Sequence, residues 1–141
     1  MESKDYLERE FDRFGQVLGR MLAFLLGLQK AEKTIEAHHY LEENLKKELA
    51  LGLDDLVNLP DDSFINILKN EKYFNNNNLL TLAEILSELA EKFDSDHSNF
   101  TEQCRTKCLI IYDYLEKEEN IMHFNKVIIR NKLSGRNTDQ D

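Results

Sequence analysis

One segment of the chain, residues 17–28, carries apolar side chains on nearly every side of a predicted helix and reads V-L-G-R-M-L-A-F-L-L-G-L. A helix that is apolar all round must be covered, either by its own chain or by another subunit. The segment is short and contains Arg20, whereas a membrane span needs about twenty apolar residues. We therefore predict a buried or associating helix and no contact with a membrane.

The composition favours an all-α globular fold. Hydrophobic residues make up 41% and charged residues 32% of the 141 residues, which is typical of a globular domain. A single proline and five glycines favour long helices over many short strands. We predict one domain over 1–133, built from five to six helices, and a disordered tail over 134–141. The architecture expected is a long N-terminal helical hairpin, a C-terminal helix pair and a final basic helix.

The cysteines and the N-terminus predict the compartment. Cys104 and Cys108 lie four residues apart in a predicted helix, a spacing that does not suit a disulfide. The acidic start of the chain has neither the basic region nor the cleavage site of a signal peptide. A reducing, cytoplasmic location follows as a prediction.

Charge is distributed unevenly along the chain. Residues 1–119 hold 14 Lys/Arg and 25 Asp/Glu, while residues 120–136 hold four Lys/Arg and no acid. An acidic body disfavours general binding of nucleic acid, which needs a positive surface. The basic segment is expected to be a solvated helix face, or to dock on the acidic body of its own chain or on a partner. A regulator that docks residues 126–136 on nucleic acid remains an alternative.

The first predicted helix, over 4–29, divides into two halves. An apolar stripe runs along it at helical spacing, formed by Leu7, Phe11, Phe14, Leu18, Met21, Leu22 and Leu25. Up to Phe14 the other positions are mostly charged, which is typical of an ordinary amphipathic helix. After Val17 the apolar surface broadens, with Phe24 and Leu26 on opposite flanks of the stripe. We predict a homodimer interface here, formed by Val17, Phe24, Leu26 and Leu28.

A second helix, predicted over 31–51, completes the hairpin and ends at Gly52 in a left-handed conformation. Its expected stripe is Ala31, Thr34, Ile35, His38, Leu41, Leu45 and Leu49. Residues 53–74 are expected to be irregular, with a short helix that begins after Pro60 and ends at Leu68. Further helices are predicted over 79–93, 100–117 and 121–133.

Candidate chemistry on this scaffold is sparse. His38 lies in the predicted apolar stripe, and Glu42, one turn further on, is expected to accept its hydrogen bond. A satisfied structural histidine is the preferred interpretation. The alternative is a metal- or ligand-binding helical protein that uses His38 and Glu42, with Cys104 and Cys108 as further candidate ligands. Four cysteine or histidine ligands are usual for such sites, so the preferred interpretation of both cysteines is small buried packing residues.

Sequence motifs of enzymes are missing. Glu36 and His39 form a single Glu-x-x-His pair, whereas a di-iron bundle needs two such pairs and two more glutamates. The chain has no phosphate-binding glycine loop, no G-x-S-x-G motif and no H-E-x-x-H motif. We therefore predict a protein that is not an enzyme and has no cofactor.

Two resemblances add to these predictions. Residues 79–115 resemble one tetratricopeptide helix pair, through Leu79-x-x-Leu82-Ala83 and Cys104-x-x-x-Cys108, although the loop between the helices is longer than that repeat permits. The whole chain resembles a family of short, uncharacterised, all-helical bacterial proteins, through Asp5-Tyr6-Leu7-x-Arg9 and the segments 51–54 and 59–62. This resemblance implies tetratricopeptide-like packing and no assigned activity. The function predicted is a non-enzymatic protein-interaction or assembly module with a protein partner.

Overall fold

The computed structural model describes residues 2–28, 34–93 and 99–119, and these form an all-α fold without a strand in those ranges. The fold class predicted from the sequence is confirmed. The helices are α1 (Glu2–Leu26), α2 (Thr34–Leu49), α3 (Leu53–Val57), α4 (Phe64–Asn66), α5 (Asn76–Lys92) and α6 (Asn99–Glu119). The helix predicted over 121–133 and the disordered tail predicted over 134–141 lie outside the described residues.

The long helices α1, α2 and α5 lie side by side, and contacts near both ends of α1 hold them together. The helices α1 and α2 run antiparallel, because Phe24 stacks on Tyr40 with 4.5 Å between ring centroids, while Arg13 pairs with Glu48 nearer the other end. The predicted hairpin is therefore confirmed. The helix α5 runs parallel to α1, since the Asn78 amide donates to the Phe11 carbonyl and Lys92 Nζ donates to the Leu28 carbonyl at 2.6 Å.

The remaining elements complete a ring around the core. The helix α6 packs antiparallel and most extensively on α5, and Cys108 Sγ donates to the Ala83 carbonyl at 3.2 Å midway along the pair. Both α3 and α4 pack on α6, and α3 also packs on α2. No helix in the described ranges is long and apolar enough to cross a lipid bilayer.

The buried face of α2 differs from the predicted stripe. Ile35, a member of that stripe, is 84% exposed, while Ala37, Leu41 and Leu45 are buried. At about 100° per residue, Ile35 lies about 120° from Leu41 around the helix axis, whereas Ala37 lies about 40° from it. The prediction for Ile35 is wrong because it combines two faces of the helix, and His38 is consequently only partly buried.

The end of α2 also differs from the prediction. Ala50, with a φ of 58°, takes the left-handed conformation that is predicted for Gly52. Gly52 is extended, with a φ of −74°, and lies at the N-cap of α3. A Cβ atom at this position would lie 2.5 Å from Oε2 of Glu42. Glycine at this position therefore leaves room for the Glu42 carboxylate, which a Cβ atom would displace, while its backbone angles are open to any residue.

The segment after Pro60 forms the predicted short helix as a composite. A 3₁₀ turn over Asp61–Ser63 leads into α4, and a π-helical turn follows over Ile67–Glu71. Phe64 and Leu68 anchor the segment because both side chains are fully buried.

A buried cation ties this composite segment to α6. Lys107 is 1% exposed, and its Nζ donates to Oδ1 of Asp61 at 2.6 Å and to Oε1 of Gln103 at 3.2 Å. The ammonium also lies 5.6 Å from the centroid of the Phe64 ring. Because a buried charge is costly unless it is paired, the position of Asp61 relative to α6 is set by this contact.

Candidate binding cleft

A cleft of about 420 Å³ opens between the first half of α1, the end of α2 and the residues that follow the π-helical turn. Its lining is mainly apolar with a few charged groups, as is usual for ligand-binding sites. The described residues that line it are Tyr6, Leu7, Glu10, Phe11, Arg13, Phe14, Glu48, Leu49, Lys72 and Tyr73. We call this surface the α1 cleft.

Tyr73 is held at the edge of the α1 cleft in an unusual backbone conformation. Its φ of 61° lies in the left-handed region, which costs a residue with a Cβ atom about 1–2 kcal/mol. The π-helical turn explains the position, since the N–H of Lys72 donates to the Ile67 carbonyl and the N–H of Phe74 donates to the Leu68 carbonyl. Strain of this kind collects at functional sites, where the surrounding structure enforces it.

Phe74, the residue after Tyr73, holds the backbone in this conformation because its own side chain is packed in the core. Phe74 is buried and packs edge-to-face against Phe14, with ring centroids 5.0 Å apart. The Phe74 ring is thus fixed in the core beneath the cleft, while the Tyr73 side chain remains 64% exposed. Two adjacent aromatic residues therefore have opposite roles, one as an anchor and one as an accessible surface.

Charged groups border the apolar lining. The Arg13 guanidinium lies 3.0 Å from Glu48 and 3.2 Å from Glu10, and its hydrogen bond with Glu48 raises the pKa of Arg13 above its ordinary value. Lys72 Nζ donates to the Leu49 carbonyl at 2.9 Å. The last turn of α2 thereby gains a cation near its C-terminal carbonyls, where the helix dipole favours positive charge.

Exposed apolar side chains concentrate at this cleft. Five large apolar side chains are exposed in the part of the chain that the structure describes, and three of them, Tyr6, Leu7 and Tyr73, line the α1 cleft. The other two are Leu26 and Ile35. A single exposed apolar residue needs no explanation, whereas a cluster around a concave surface is typical of an interaction site.

The predicted partnership of His38 with Glu42 is not found. His38 Nε2 lies 3.4 Å from Oδ1 of Asp54 instead. Glu42 accepts a hydrogen bond of 2.6 Å from the backbone N–H of Leu53 and pairs with Lys46 at 3.2 Å. The prediction is wrong because a free N–H at the start of α3 competes for the carboxylate, and satisfying such groups is the usual way to begin a helix.

The environment of Glu42 changes its titration. Burial acts to raise the pKa of Glu42, but the hydrogen bond from Leu53 and the charge of Lys46 act in the opposite direction. The resulting pKa lies below the ordinary value for glutamate. Glu42 is therefore ionised at neutral pH. One of its oxygens accepts the hydrogen bond from the Leu53 N–H, and the other pairs with the Lys46 ammonium.

Cys104 and Cys108 are buried and not joined by a disulfide, as predicted. Burial raises the pKa of the Cys108 thiol to about 12 and raises that of Cys104 further. Both thiols are therefore protonated at neutral pH. In the described ranges, no three His, Cys, Asp or Glu side chains lie together in a group that could hold a metal ion.

The predicted dimer interface is largely covered within the chain. Val17 is buried, and Phe24 and Leu28 are partly buried against the core. Leu26 differs, because it is 58% exposed. Of the four predicted interface residues, Leu26 is thus the one whose side chain offers most of its surface to another molecule.

Several residues of the α1 cleft have the sequence pattern of an ordinary amphipathic helix. Leu7, Phe11 and Phe14 share one predicted stripe, but nothing in the sequence connects Glu48 or Tyr73 with them. Tyr6 beside Leu7 widens the apolar face at the start of α1, and this is the available signal. The contribution of Tyr73 depends on its φ, which the sequence around it does not indicate.

Comparison of the chain with protein-family models, with curated proteins and with solved structures gives no match. The resemblances to the tetratricopeptide pair and to the bacterial helical family therefore stay predictions.

Proposed function

We propose that this protein is a protein-interaction module that binds a segment of a partner protein in the α1 cleft. The observation that carries the proposal is the clustering of exposed Tyr6, Leu7 and Tyr73 around one concave surface. Tyrosine supplies a large apolar area together with a polar hydroxyl group, and it is enriched at protein interfaces. Buried Phe14 and Leu49 give the cleft an apolar floor that can receive a partner side chain.

The polar groups of the cleft support a peptide as the partner's bound form. Arg13, Glu10 and Glu48 place both signs of charge beside the apolar surface. A binding groove of this type combines an apolar anchor with charged groups at the rim, which select the partner and its orientation. A cytoplasmic location suits the proposal, because both cysteines are free thiols and a reducing compartment keeps them so.

A displayed random peptide library tests the proposal with the intact protein. Peptides selected on the immobilised chain are expected to share an apolar residue and to bind the Leu7→Ser variant at least about tenfold more weakly than the parent. Leu26→Ser is the matched control, since Leu26 is also an exposed leucine of α1 but does not line the cleft. Affinities are measured by biolayer interferometry.

The control decides the outcome. Equal loss of peptide binding in Leu7→Ser and Leu26→Ser would contradict the α1 cleft as the binding site. Selection of no peptide at all, or of peptides that bind both variants as well as the parent, would contradict the proposed function itself.

Self-association through the second half of α1 is a second candidate function, because exposed Leu26 lies one helical turn from partly buried Leu22 and forms an apolar patch with it. We expect a dimer in multi-angle light scattering at micromolar concentration, and Leu26→Glu should convert it to a monomer because a charge cannot be buried unpaired at an apolar contact. A monomer in the parent protein would exclude this candidate and leave the cleft proposal unaffected.

A further inference from the structure

We propose that the partner segment bound in the α1 cleft carries an aspartate or glutamate beside its apolar anchor, and that Lys72 binds this carboxylate. The inference rests on the proposed function, since it takes the α1 cleft as a peptide-binding site and names the charge that the peptide brings. It depends on how the charged groups of the cleft are already paired, on the hydrogen-bonding capacity of Lys72 and on the backbone group beside it.

Three of the four charged side chains that line the cleft in the described residues pair with one another. The Arg13 guanidinium lies 3.2 Å from Glu10 and 3.0 Å from Glu48. Both ion pairs therefore end on Arg13, and neither includes Lys72. The side chain of Glu48 is also only 10% exposed, so a charged ligand that bound at Arg13 would have to displace a carboxylate that is already in place.

Lys72 is the fourth charged group, and two of its three donors are open to a ligand. An ammonium group has three N–H donors, and among the described residues Lys72 Nζ donates to the Leu49 carbonyl alone, at 2.9 Å. The residue is partly buried, so its charge is screened by solvent less than that of a fully exposed lysine. Lys72 is thus the cation of the described cleft lining that a carboxylate can approach without displacing another one.

The position of Lys72 sets the spacing of the two features in the ligand. Its ammonium lies against the backbone of Leu49, whose buried side chain forms part of the apolar floor of the cleft. Exposed Tyr73 follows Lys72 directly in the chain and lines the same surface. An apolar side chain that enters over Leu49 therefore brings the residue next to it within reach of the ammonium, and this charged contact fixes the orientation of the peptide.

The surroundings of Lys72 favour a side-chain carboxylate over two other anionic groups. Capture of a C-terminal carboxylate uses a nest of backbone N–H groups, whereas the backbone group bonded to Lys72 is a carbonyl, which is an acceptor. Recognition of a phosphate uses a cluster of arginines, whereas Arg13 is already paired with two carboxylates. An Asp or Glu oxygen is the acceptor that suits a single ammonium in this setting.

Matched peptide pairs test the inference with the intact protein. Each Leu7-dependent peptide selected from the library is synthesised once with its acidic residue and once with the corresponding amide, and both affinities are measured by biolayer interferometry. The parent chain should bind the acidic peptide about tenfold more tightly, whereas Lys72→Gln should bind the two peptides equally. Lys47→Gln, the control at an exposed lysine of α2 outside the cleft, should keep the preference of the parent. The comparison is a ratio within one protein, so a general loss of stability in Lys72→Gln does not change it.

Zero-length crosslinking gives a second readout that needs no substitution. A carbodiimide joins a carboxylate to an amine only when the two groups are in contact, so peptide mapping should show the acidic peptide joined to Lys72 and not to Lys47. Absence of a product at Lys72, a preference for the acidic peptide that survives in Lys72→Gln, or selected peptides without an acidic residue would overturn the inference alone. Selection of no Leu7-dependent peptide would overturn the proposed function as well.

Discussion

The two halves of α1 exchange the roles that their sequences predict. The first half, up to Phe14, has the ordinary alternation of charged and apolar residues, yet Tyr6 and Leu7 are exposed there and line the α1 cleft. The second half, from Val17, is apolar on nearly every side, yet Leu18, Met21 and Leu25 are buried by the chain itself. The number of apolar residues in a helix thus indicates how much apolar surface must be buried. Which part of that surface remains exposed depends on where the neighbouring helices begin and end.

The difference arises from the neighbours of each half. The second half lies between α2 and α5, with Phe24 against Tyr40 and Leu28 against Lys92. The first half extends beyond the start of α5, since Asn78 of α5 reaches only to Phe11. Tyr6 and Leu7 therefore project past the point at which a second layer of helix begins, and the cleft forms there.

The strongest test of this comparison replaces one leucine in each half by alanine. Leu18→Ala should lower the free energy of unfolding by about 3 kcal/mol, because the side chain is fully buried and its removal leaves a cavity. Leu7→Ala should lower it by less than about 1 kcal/mol, since 44% of this residue is already exposed. Urea denaturation followed by circular dichroism measures both, and comparable losses would show that the first half is as well covered as the second.

A smaller effect on the free energy of unfolding is expected in α2. Its Glu42 accepts a hydrogen bond from the start of α3, whereas its Glu48 lines the α1 cleft. The pKa of Glu42 is lowered in the folded protein, so its charge stabilises the fold above the ordinary glutamate pKa, and this contribution is lost as the pH falls through the lowered value. At neutral pH, Glu42→Gln should therefore cost about 1 kcal/mol.

The pH dependence of that variant provides the check. Urea denaturation between neutral and strongly acidic pH should show the parent and Glu42→Gln converging as Glu42 becomes protonated. A difference that stays constant down to the lowest pH would mean that the carboxylate charge is not the stabilising feature. Glu43→Gln serves as the control, because Glu43 is an exposed glutamate of the same helix.

The smallest expected effect compares two glycines of α1. Gly19 is exposed, and no neighbouring atom lies within 4 Å of the position that a Cβ would take there, so Gly19→Ala should stabilise the helix by about 0.5–1 kcal/mol. A Cβ atom at Gly15 would lie 3.0 Å from Oδ1 of Asn78, whose amide is already bonded to Phe11. Gly15→Ala should give no such gain in stability. Thermal unfolding of both variants measures the difference. Equal stabilisation by the two substitutions would mean that the contact between α1 and α5 is loose at Gly15.

The long helices could be predicted from the sequence because their periodicity and their end signals are local. Helices predicted over 4–29 and 79–93 are observed as Glu2–Leu26 and Asn76–Lys92, and the earlier start of α5 comes from Asn75, whose side chain caps it. The buried face of α2 was harder to predict, since Ile35 and Leu41 are both apolar and only the packing shows which of them faces the core.

The cleft could not be predicted, because its parts are distant in sequence and depend on backbone detail. Tyr73 reaches it through a π-helical turn and a left-handed φ, neither of which has a reliable sequence signature. Glu48 reaches it through its pair with Arg13, 35 positions earlier in the chain. Long-range packing therefore brings together residues at this surface, none of which has a sequence pattern of its own that predicts the cleft.

The contact between Lys107 and Asp61 has a consequence for how tolerance to mutation should be ranked in this protein. Asp61 has a side chain that is 54% exposed, and a ranking by solvent exposure alone would place it among freely replaceable surface positions. Its substitution by alanine would, however, leave the interior ammonium of Lys107 without its carboxylate, an outcome that is far more disruptive than loss of an ordinary surface ion pair. In a saturation-mutagenesis screen, the permissible residues at position 61 should be as few as those at a core position.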